Sequence, residues 1–154
     1  MIGEMVWERS LGGPDGEVDG NAWRIDLVRA NDRVLEAMVA GDVDAILGEF
    51  TPGHESVIRD YVSSTGELVA LAGMDSHRAW YESLLDRYEI LSADAIRRIS
   101  QLSYVFTETS VAARARHGDE AGRTVRFRLA DWFVPDPEGK IKVRIGYGTD
   151  PHLD

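Results

Sequence analysis

The sequence predicts an α+β fold, with helices in the first half of the chain and antiparallel strands in the second. Apolar residues recur every three or four positions across residues 22–40, which is the spacing of an amphipathic helix. Across residues 123–134 apolar and polar residues alternate, which is the spacing of a half-buried strand. The segment PDPEG at 135–139 joins two such alternating runs and indicates a hairpin. We therefore expect one α+β domain over residues 21–154.

Three helices are predicted after an irregular tail. Residues 1–20 hold five of the fifteen glycines and five acids, so we expect a flexible or loosely anchored tail. The first helix runs over about 22–40 and ends at Gly41. Asp42 then caps a second, shorter helix. A third helix starts at Asp75, a residue type that favours the N-cap, and ends near residue 89.

Three or four strands are predicted in the second half, at about 96–106, 109–117, 123–134 and 140–148. In the hairpin between the last two, Gly139 can take the positive φ that the turn needs. Earlier in the chain, HESVIRDY at 54–61 allows either a short strand or the lip of a loop. The inward face of the last strand is predicted from its apolar alternation to be Ile141, Val143, Ile145 and Tyr147.

One acid lies in an apolar register. Asp131 shares a predicted strand face with Val125, Phe127, Leu129 and Phe133. A carboxylate among such side chains is costly unless it is paired, hydrogen-bonded or protonated. Asp131 is therefore either a functional group of a pocket or a structural group satisfied by a backbone amide or a buried arginine.

The composition limits the classes of function. The formal net charge of −10 and the pI of about 4.8 disfavour binding to nucleic acid, whose phosphates would be repelled. The absence of cysteine excludes a disulfide, a thiol nucleophile and a cysteine–zinc site. We find no apolar run of about 18 residues and no basic-then-apolar signal pattern, so we expect a cytoplasmic protein without a membrane partner. The four histidines are scattered and no glycine-rich loop follows a strand, so neither a metal nor a nucleotide cofactor is predicted.

Two segments, RVLEAMVAGDVDAILGEF at 33–50 and RLADWFVPDPEGKIKVRIGY at 128–147, resemble the nuclear transport factor 2-like superfamily. That superfamily includes ketosteroid isomerases, SnoaL-like polyketide cyclases, scytalone dehydratase and limonene epoxide hydrolase. The resemblance covers about residues 22–150. It implies N-terminal helices packed in the concave face of a curved antiparallel sheet, a conical pocket for a small molecule, and in many members a homodimer.

The resemblance assigns roles residue by residue. Asp131 matches the aspartic acid that ketosteroid isomerases keep protonated as a hydrogen-bond donor. Asp60 matches their general base only loosely, and Val34 stands where their first-helix tyrosine would donate. His54 and the Asp60–Tyr61 pair are weakly similar to scytalone dehydratase. Epoxide hydrolysis requires an acid, an arginine and a second acid, and the last strand shows no inward acid. The SnoaL-like cyclases, which depend on an aspartate, fit best.

The sequence thus predicts a cofactor-independent cyclase, isomerase or dehydratase for a hydrophobic small molecule. Its catalytic candidates are Asp131, Asp60 and His54. The candidates for binding the substrate are Asn31, Val34, Tyr61, His77, Trp80, Tyr104, Phe127, Leu129 and Tyr147. Several of these positions, notably Asn31, His54 and His77, are equally compatible with an exposed side chain.

The alternative is a non-catalytic binding or accessory domain that forms a homodimer. A basic and aromatic outer sheet face would supply the contact between the copies. The residues predicted on that face are Arg126, Arg128, Trp132, Lys142 and Arg144.

Overall fold

The computed structural model describes residues 20–62, 65–101, 104–136 and 138–153. The predicted tail at 1–20 lies outside the described residues except for Gly20, which begins the first helix. Among the described residues, none of the helices combines the length and apolar character needed to cross a bilayer.

Helix α1 spans Gly20–Ala40, α2 spans Val43–Gly48 and α3 spans Gly73–Arg87. The predicted cap of α2 is confirmed, because the Asp42 carboxylate accepts a hydrogen bond of 2.9 Å from the Ala45 amide.

Helix α3 begins two residues before Asp75. Gly73 has a φ of +75°, which lets the chain turn directly from the preceding strand into the helix. Ser76, rather than Asp75, bonds the backbone at this end, since its hydroxyl accepts from the Ala72 amide at 3.0 Å.

Within the part of the chain that the structure describes, seven strands form one mixed sheet. They are β1 Phe50–Asp60, β2 Glu67–Ala72, β3 Tyr88–Gln101, β4 Tyr104–Ala115, β5 Thr124–Pro135, β6 Ile141–Gly148 and β7 His152–Leu153. The order across the sheet is β2-β1-β6-β5-β4-β3, and β7 pairs with β5. Neighbours pair antiparallel except β1 and β6, which are parallel. The predicted α+β class is thus confirmed, with one parallel pair in a sheet expected to be antiparallel throughout.

The strands differ from the prediction mainly where the sequence left local structure open. Residues 54–60 belong to the eleven-residue strand β1 and Tyr61 follows it, β2 was not predicted, and β3 begins at Tyr88 directly after α3. The turn between β5 and β6 is confirmed, since Gly139 has a φ of +88°. Strand β5 keeps the predicted register, so that its alternate residues from Val125 to Phe133, Asp131 among them, are buried.

Ile141 is buried as predicted, but strand β6 has the opposite register from the one predicted beyond it. Ile145 is 54% exposed and Tyr147 is 46% exposed, whereas Arg144, Gly146 and Gly148 are buried. A bulge explains the change, because Val134 pairs with residue 143 while Pro135 pairs with residue 141, so β6 contributes one extra residue. An extra residue exchanges the two faces of the strand beyond it. The prediction that Ile145 and Tyr147 point inward was therefore wrong.

The apolar core lies between the helices and the concave face of the sheet. Its members come from all three helices and from strands β1 and β3–β6. Val34 of α1 and Phe127 and Leu129 of β5 are among them. The buried polar groups occur on the same side of the sheet, where they interrupt this core.

Candidate active site

Asp131 is paired with a buried arginine. Arg144 of β6 donates from Nε to Asp131 Oδ1 at 2.7 Å, and the two side chains are only 4% and 8% exposed. Burial is the largest single influence on the pKa of Arg144 and would lower it, but Asp131, Tyr81 and Asp60 together raise the pKa, so the guanidinium stays charged. Asp131 is thus engaged as a hydrogen-bond acceptor of a buried guanidinium, which differs from the hydrogen-bond donor that the resemblance implied.

Gly146 makes room for this ion pair. It pairs with Asp131 in the β5–β6 ladder, so it faces the same side of the sheet. A Cβ at position 146 would lie 2.6 Å from Asp131 Oδ1 and 3.4 Å from Arg144 Nε. Only glycine therefore leaves the carboxylate in its observed place.

Two aromatic residues of α3 surround the guanidinium. Arg144 Nη1 donates to the Tyr81 hydroxyl at 3.0 Å, and Arg144 Cζ lies 5.1 Å from the centroid of the Trp80 ring. Tyr81 is fully buried, and burial raises the pKa of its hydroxyl. Since this hydroxyl oxygen accepts from Arg144, its own proton remains available for donation.

Asp60 provides a second buried carboxylate at the end of β1. Its Oδ1 accepts from the Val62 amide at 2.9 Å and its Oδ2 accepts from Trp80 Nε1 at 3.3 Å. The negative charge of Asp60 is one of the causes that raise the pKa of Arg144. Asp60, Trp80, Arg144 and Asp131 therefore form one polar cluster, which we call the acid–arginine cluster.

Two histidines pack together beside this cluster. The ring centroids of His54 and His77 are 3.5 Å apart. His77 Nε2 accepts from the Ser56 hydroxyl at 2.7 Å, and both histidines bond a backbone carbonyl through Nδ1 at 2.7 Å. Burial lowers the pKa of both, to about 4 for His77, and the charge of Arg144 acts in the same direction. Both imidazoles are therefore neutral at pH 7, and neither is the exposed residue that the sequence allowed.

Asn31 is buried in a network that ties α1 to the sheet. Its Oδ1 accepts from Arg98 Nη2 at 2.7 Å and from Thr107 Oγ1 at 2.9 Å. Thr107 pairs with Asp131 in the β4–β5 ladder, which places this network next to the ion pair. The oxygen of Asn31 is thus engaged by the protein, and its amide group is oriented by that engagement.

Two of the predicted binding residues lie away from the cluster. The half-buried ring of Tyr104 is 5.8 Å from that of Trp132, whose side chain is exposed on the convex face. Tyr147 is exposed, and its ring lies 5.7 Å from that of Tyr61. The prediction that Tyr104 and Tyr147 line the pocket is therefore not supported by their positions, since strand register turns them to the other face.

Arg144, Tyr81 and Ser56 were missed by the sequence analysis. Arg144 was assigned to the outer face, and that assignment was wrong because the bulge in β6 reverses the strand. A signal existed in the sequence, since Gly146 and Gly148 alternate with Arg144 and small residues in a strand indicate close approach.

Within the described ranges, no group of three or more acidic or histidine side chains could hold a metal ion.

No protein-family model matches the sequence, and no curated protein matches it either. Solved structures do match. SalBIII, an epoxide hydrolase/cyclase-like enzyme in pyran ring formation in polyether salinomycin, shares 18% identity and a TM-score of 0.66 over 83% of this chain and 95% of its own. An epoxide hydrolase from M. tuberculosis, similar to the LEH type, shares 17% identity and a TM-score of 0.60 over 80% of this chain and 83% of its own.

A candidate polyketide cyclase from Xanthomonas campestris shares 18% identity and a TM-score of 0.66, over 81% of this chain and 91% of its own. At such identities these likenesses establish the fold, and functional roles must be argued from the site. The chain has the nuclear transport factor 2-like fold that its sequence resemblance implied.

Proposed function

We propose that this chain is a cofactor-independent acid–base enzyme acting on a hydrophobic small molecule at the concave face of the sheet. The observation that carries the proposal is the burial of two carboxylates, Asp60 and Asp131, with one guanidinium, Arg144. Buried ion pairs seldom stabilise a fold more than apolar packing of the same volume. Three charged groups in one core favour a functional role, because perturbed titratable groups concentrate at active sites.

The formal charges of the cluster let it accept one proton. Two carboxylates and one guanidinium sum to −2 + 1 = −1. One carboxylate can therefore take a proton from a carbon next to a carbonyl, while the charge of Arg144 balances the charge of the other. Tyr81 can donate to the oxygen on which negative charge develops, since its hydroxyl oxygen is held by Arg144.

Proton abstraction of this kind leads to cyclisation, isomerisation or elimination. Asp131 is the principal acid–base group, Asp60 its partner, and Asn31 a polar anchor beside them. The apolar walls come from Val34, Phe127 and Leu129, which are buried on the same side. We assign His54 a hydrogen-bonding part, because burial lowers its pKa and disfavours the imidazolium that a proton shuttle needs.

Epoxide opening is a second candidate reaction, which the sequence analysis disfavoured for lack of an inward acid on the last strand. The inward residue there is Arg144, and it lies with Asp60 and Asp131 in an acid–arginine–acid group. Such a group can activate water with one acid and protonate the epoxide oxygen with the other. SalBIII and the M. tuberculosis epoxide hydrolase share the fold, which fits this candidate.

The test is turnover of a defined panel by purified protein. The panel holds cyclohexene oxide and limonene oxide for epoxide opening, and a β,γ-unsaturated cyclic ketone for proton transfer, with products measured by mass spectrometry. For the substrate that reacts, Asp131→Asn should lower the rate about 10²- to 10⁴-fold. Asp119→Asn, which removes an exposed carboxylate, is the matched control and should leave the rate unchanged.

Full turnover by Asp131→Asn would contradict the assignment. Binding of the panel compounds without reaction, equally tight in both variants, would favour the alternative of a non-catalytic binding domain. In that case the pair of Asp131 and Arg144 would serve only to fix strands β5 and β6.

A homodimer through the convex face is the further part of this proposal. Apolar side chains from five neighbouring strands align in one transverse row, each paired with the next in the ladders. The row consists of Val57, Ile145, Trp132, Phe106 and Ile99, of which all but Phe106 are exposed. A contiguous exposed apolar patch of this kind marks an interface, and a flat sheet face suits a self-complementary contact.

The dimer is tested by sedimentation. Trp132→Glu places a charge at the centre of the row and should give a monomer, whereas Arg116→Glu, at an exposed position just after β4, should leave the dimer intact. A wild-type monomer at all accessible concentrations would contradict the dimer.

A further inference from the structure

His54 carries a buried acceptor that no protein group satisfies. Its Nδ1 lies 2.7 Å from the Thr51 carbonyl oxygen, and a nitrogen facing a carbonyl must be the protonated one. In the neutral ring, Nε2 is then an acceptor. Among the described residues it is one of two buried side-chain polar atoms without a partner. The residue is fully buried, so bulk water does not reach this atom.

His77 shows how the same fold satisfies a buried imidazole. Its Nδ1 faces the Gly73 carbonyl, and its Nε2 receives a hydrogen bond of 2.7 Å from the Ser56 hydroxyl. The rings of His54 and His77 pack against one another, and they differ in whether Nε2 receives a hydrogen bond. His54 Nε2 has the same acceptor chemistry without a corresponding serine.

An unsatisfied buried acceptor is rare in native proteins and points to a partner outside the chain, either an internal water or a ligand. Protonation of His54 would turn this nitrogen into a charged donor that also lacks a partner, and burial and the charge of Arg144 both lower the pKa of His54. A cation is disfavoured at this place for the same electrostatic reason. The missing partner must therefore be a neutral donor, and a hydroxyl group fits that requirement.

The position of His54 connects it with the acid–arginine cluster. His54, Ser56, Ile58 and Asp60 alternate along β1 and are all buried on one side of it. Ser56 pairs with Arg144 across the parallel ladder of β1 and β6. His54 thus lies two residues before Ser56, the β1 residue that pairs with Arg144, and it shares a face of β1 with Asp60.

We infer that His54 Nε2 forms a second polar subsite that accepts a hydrogen bond from a neutral hydroxyl group. This inference rests on the proposed function and specifies its substrate class. The substrate would be an apolar molecule that carries an alcohol or enol group in addition to its reacting centre. The hydroxyl orients the molecule, while the acid–arginine cluster transfers the proton.

The experiment reads the His54 ring nitrogens directly by long-range ¹H–¹⁵N NMR of the full chain. The probes are cyclohexanol and methylcyclohexane, which have similar size and differ in the hydroxyl group. His77 Nε2, which already accepts from Ser56, gives the reference position for a hydrogen-bonded acceptor in the same spectrum. Cyclohexanol should move the His54 Nε2 signal toward that position, whereas methylcyclohexane should not.

Affinity supplies the second readout. One net hydrogen bond should make cyclohexanol bind about fivefold more tightly than methylcyclohexane. His54→Phe, which keeps an aromatic ring against Phe50 and His77, should abolish that preference. His54→Gln restores an acceptor oxygen and should recover part of it, which separates the loss of the acceptor from a loss of packing.

An Nε2 signal that cyclohexanol leaves unmoved overturns the inference. If that signal already lies at the hydrogen-bonded position in the free protein and stays there, a structural water is the donor and the substrate class is wrong. Neither probe reacts, so these outcomes are independent of the turnover measured with Asp131→Asn.

Discussion

At the scale of single residues, the site depends on the close approach of the Asp131–Arg144 ion pair to the backbone at Gly146. Asp131 and Arg144 share a hydrogen bond of 2.7 Å in the core, and Gly146 is the residue that faces them without a side chain. A buried pair of this kind is strongly destabilised when one partner is displaced, because the other charge then remains uncompensated.

Gly146→Ala should therefore destabilise the protein, by about 1–3 kcal/mol, as overpacking usually does. The new Cβ would meet the Asp131 carboxylate at 2.6 Å and would push it away from the arginine. Gly48→Ala is the matched control, since a Cβ there meets nothing within 4 Å. Urea denaturation measures both, and equal stability of the two variants would refute the steric argument.

The buried histidines predict how stability depends on pH. The pKa of His77 is about 4 in the folded chain, below the value of 6.5 for an unperturbed histidine. Between these values the unfolded chain binds more protons, so the free energy of unfolding rises with pH. Protonation of His77 therefore has no effect on stability above pH 6.5, and it destabilises the fold increasingly as the pH falls toward 4.

His77→Gln should flatten this dependence, because it removes the titrating group while keeping a polar partner for Ser56. Denaturation of both proteins at several pH values between 4 and 7 gives the comparison. An unchanged slope in the variant would show that His77 is not the group responsible.

At the scale of elements, chain ends and bulges place the functional residues. The bulge between β5 and β6 turns Arg144 inward, and the early start of α3 brings His77, Trp80 and Tyr81 over the concave face. The start of α3 is secured by Ser76, whose hydroxyl accepts from the Ala72 amide and donates to its carbonyl oxygen at 2.7 Å.

Ser76→Ala should consequently cost about 1 kcal/mol, the usual effect of removing a helix cap. Asp75→Ala, at the residue that the sequence favoured as the cap, should cost only a few tenths of that through the loss of a charge near the helix N-terminus. Thermal or urea unfolding distinguishes the two. A larger loss for Asp75→Ala would restore the predicted start of the helix.

At the scale of the whole molecule, the apolar row on the convex face and the net charge have opposite effects on the association of two copies. The row favours association, while a formal charge of −10 on each chain makes two copies repel. Salt screens the repulsion over about 10 Å at 0.1 M and leaves burial of apolar surface in place.

The proposed dimer should therefore tighten as the salt concentration rises. Sedimentation at low and high sodium chloride would measure the dissociation constant. Trp132→Glu should remain a monomer in both. A dimer that weakens with salt would mean that attractive ion pairs, rather than the apolar row, hold the copies together.

The sequence by itself determined the features that depend on local pattern. Spacing along the chain predicted α1, the Asp42 cap, the Gly139 turn and the buried register of Asp131, and all four are observed. These features follow from helix and strand periodicity and from turn chemistry, which neighbouring residues encode.

Only the tertiary structure decided which residues surround Asp131. Its surroundings come from segments far apart in sequence, namely Trp80 and Tyr81 of α3, Ser56 of β1 and Arg144 of β6. One bulge residue determined that Arg144 points inward while Tyr147 points outward. Strand faces have a period of two, so a single inserted residue reverses every side chain beyond it. Pairing between strands fixes where that residue is inserted, whereas Gly146 and Gly148 in the sequence of β6 indicate only that a close approach occurs.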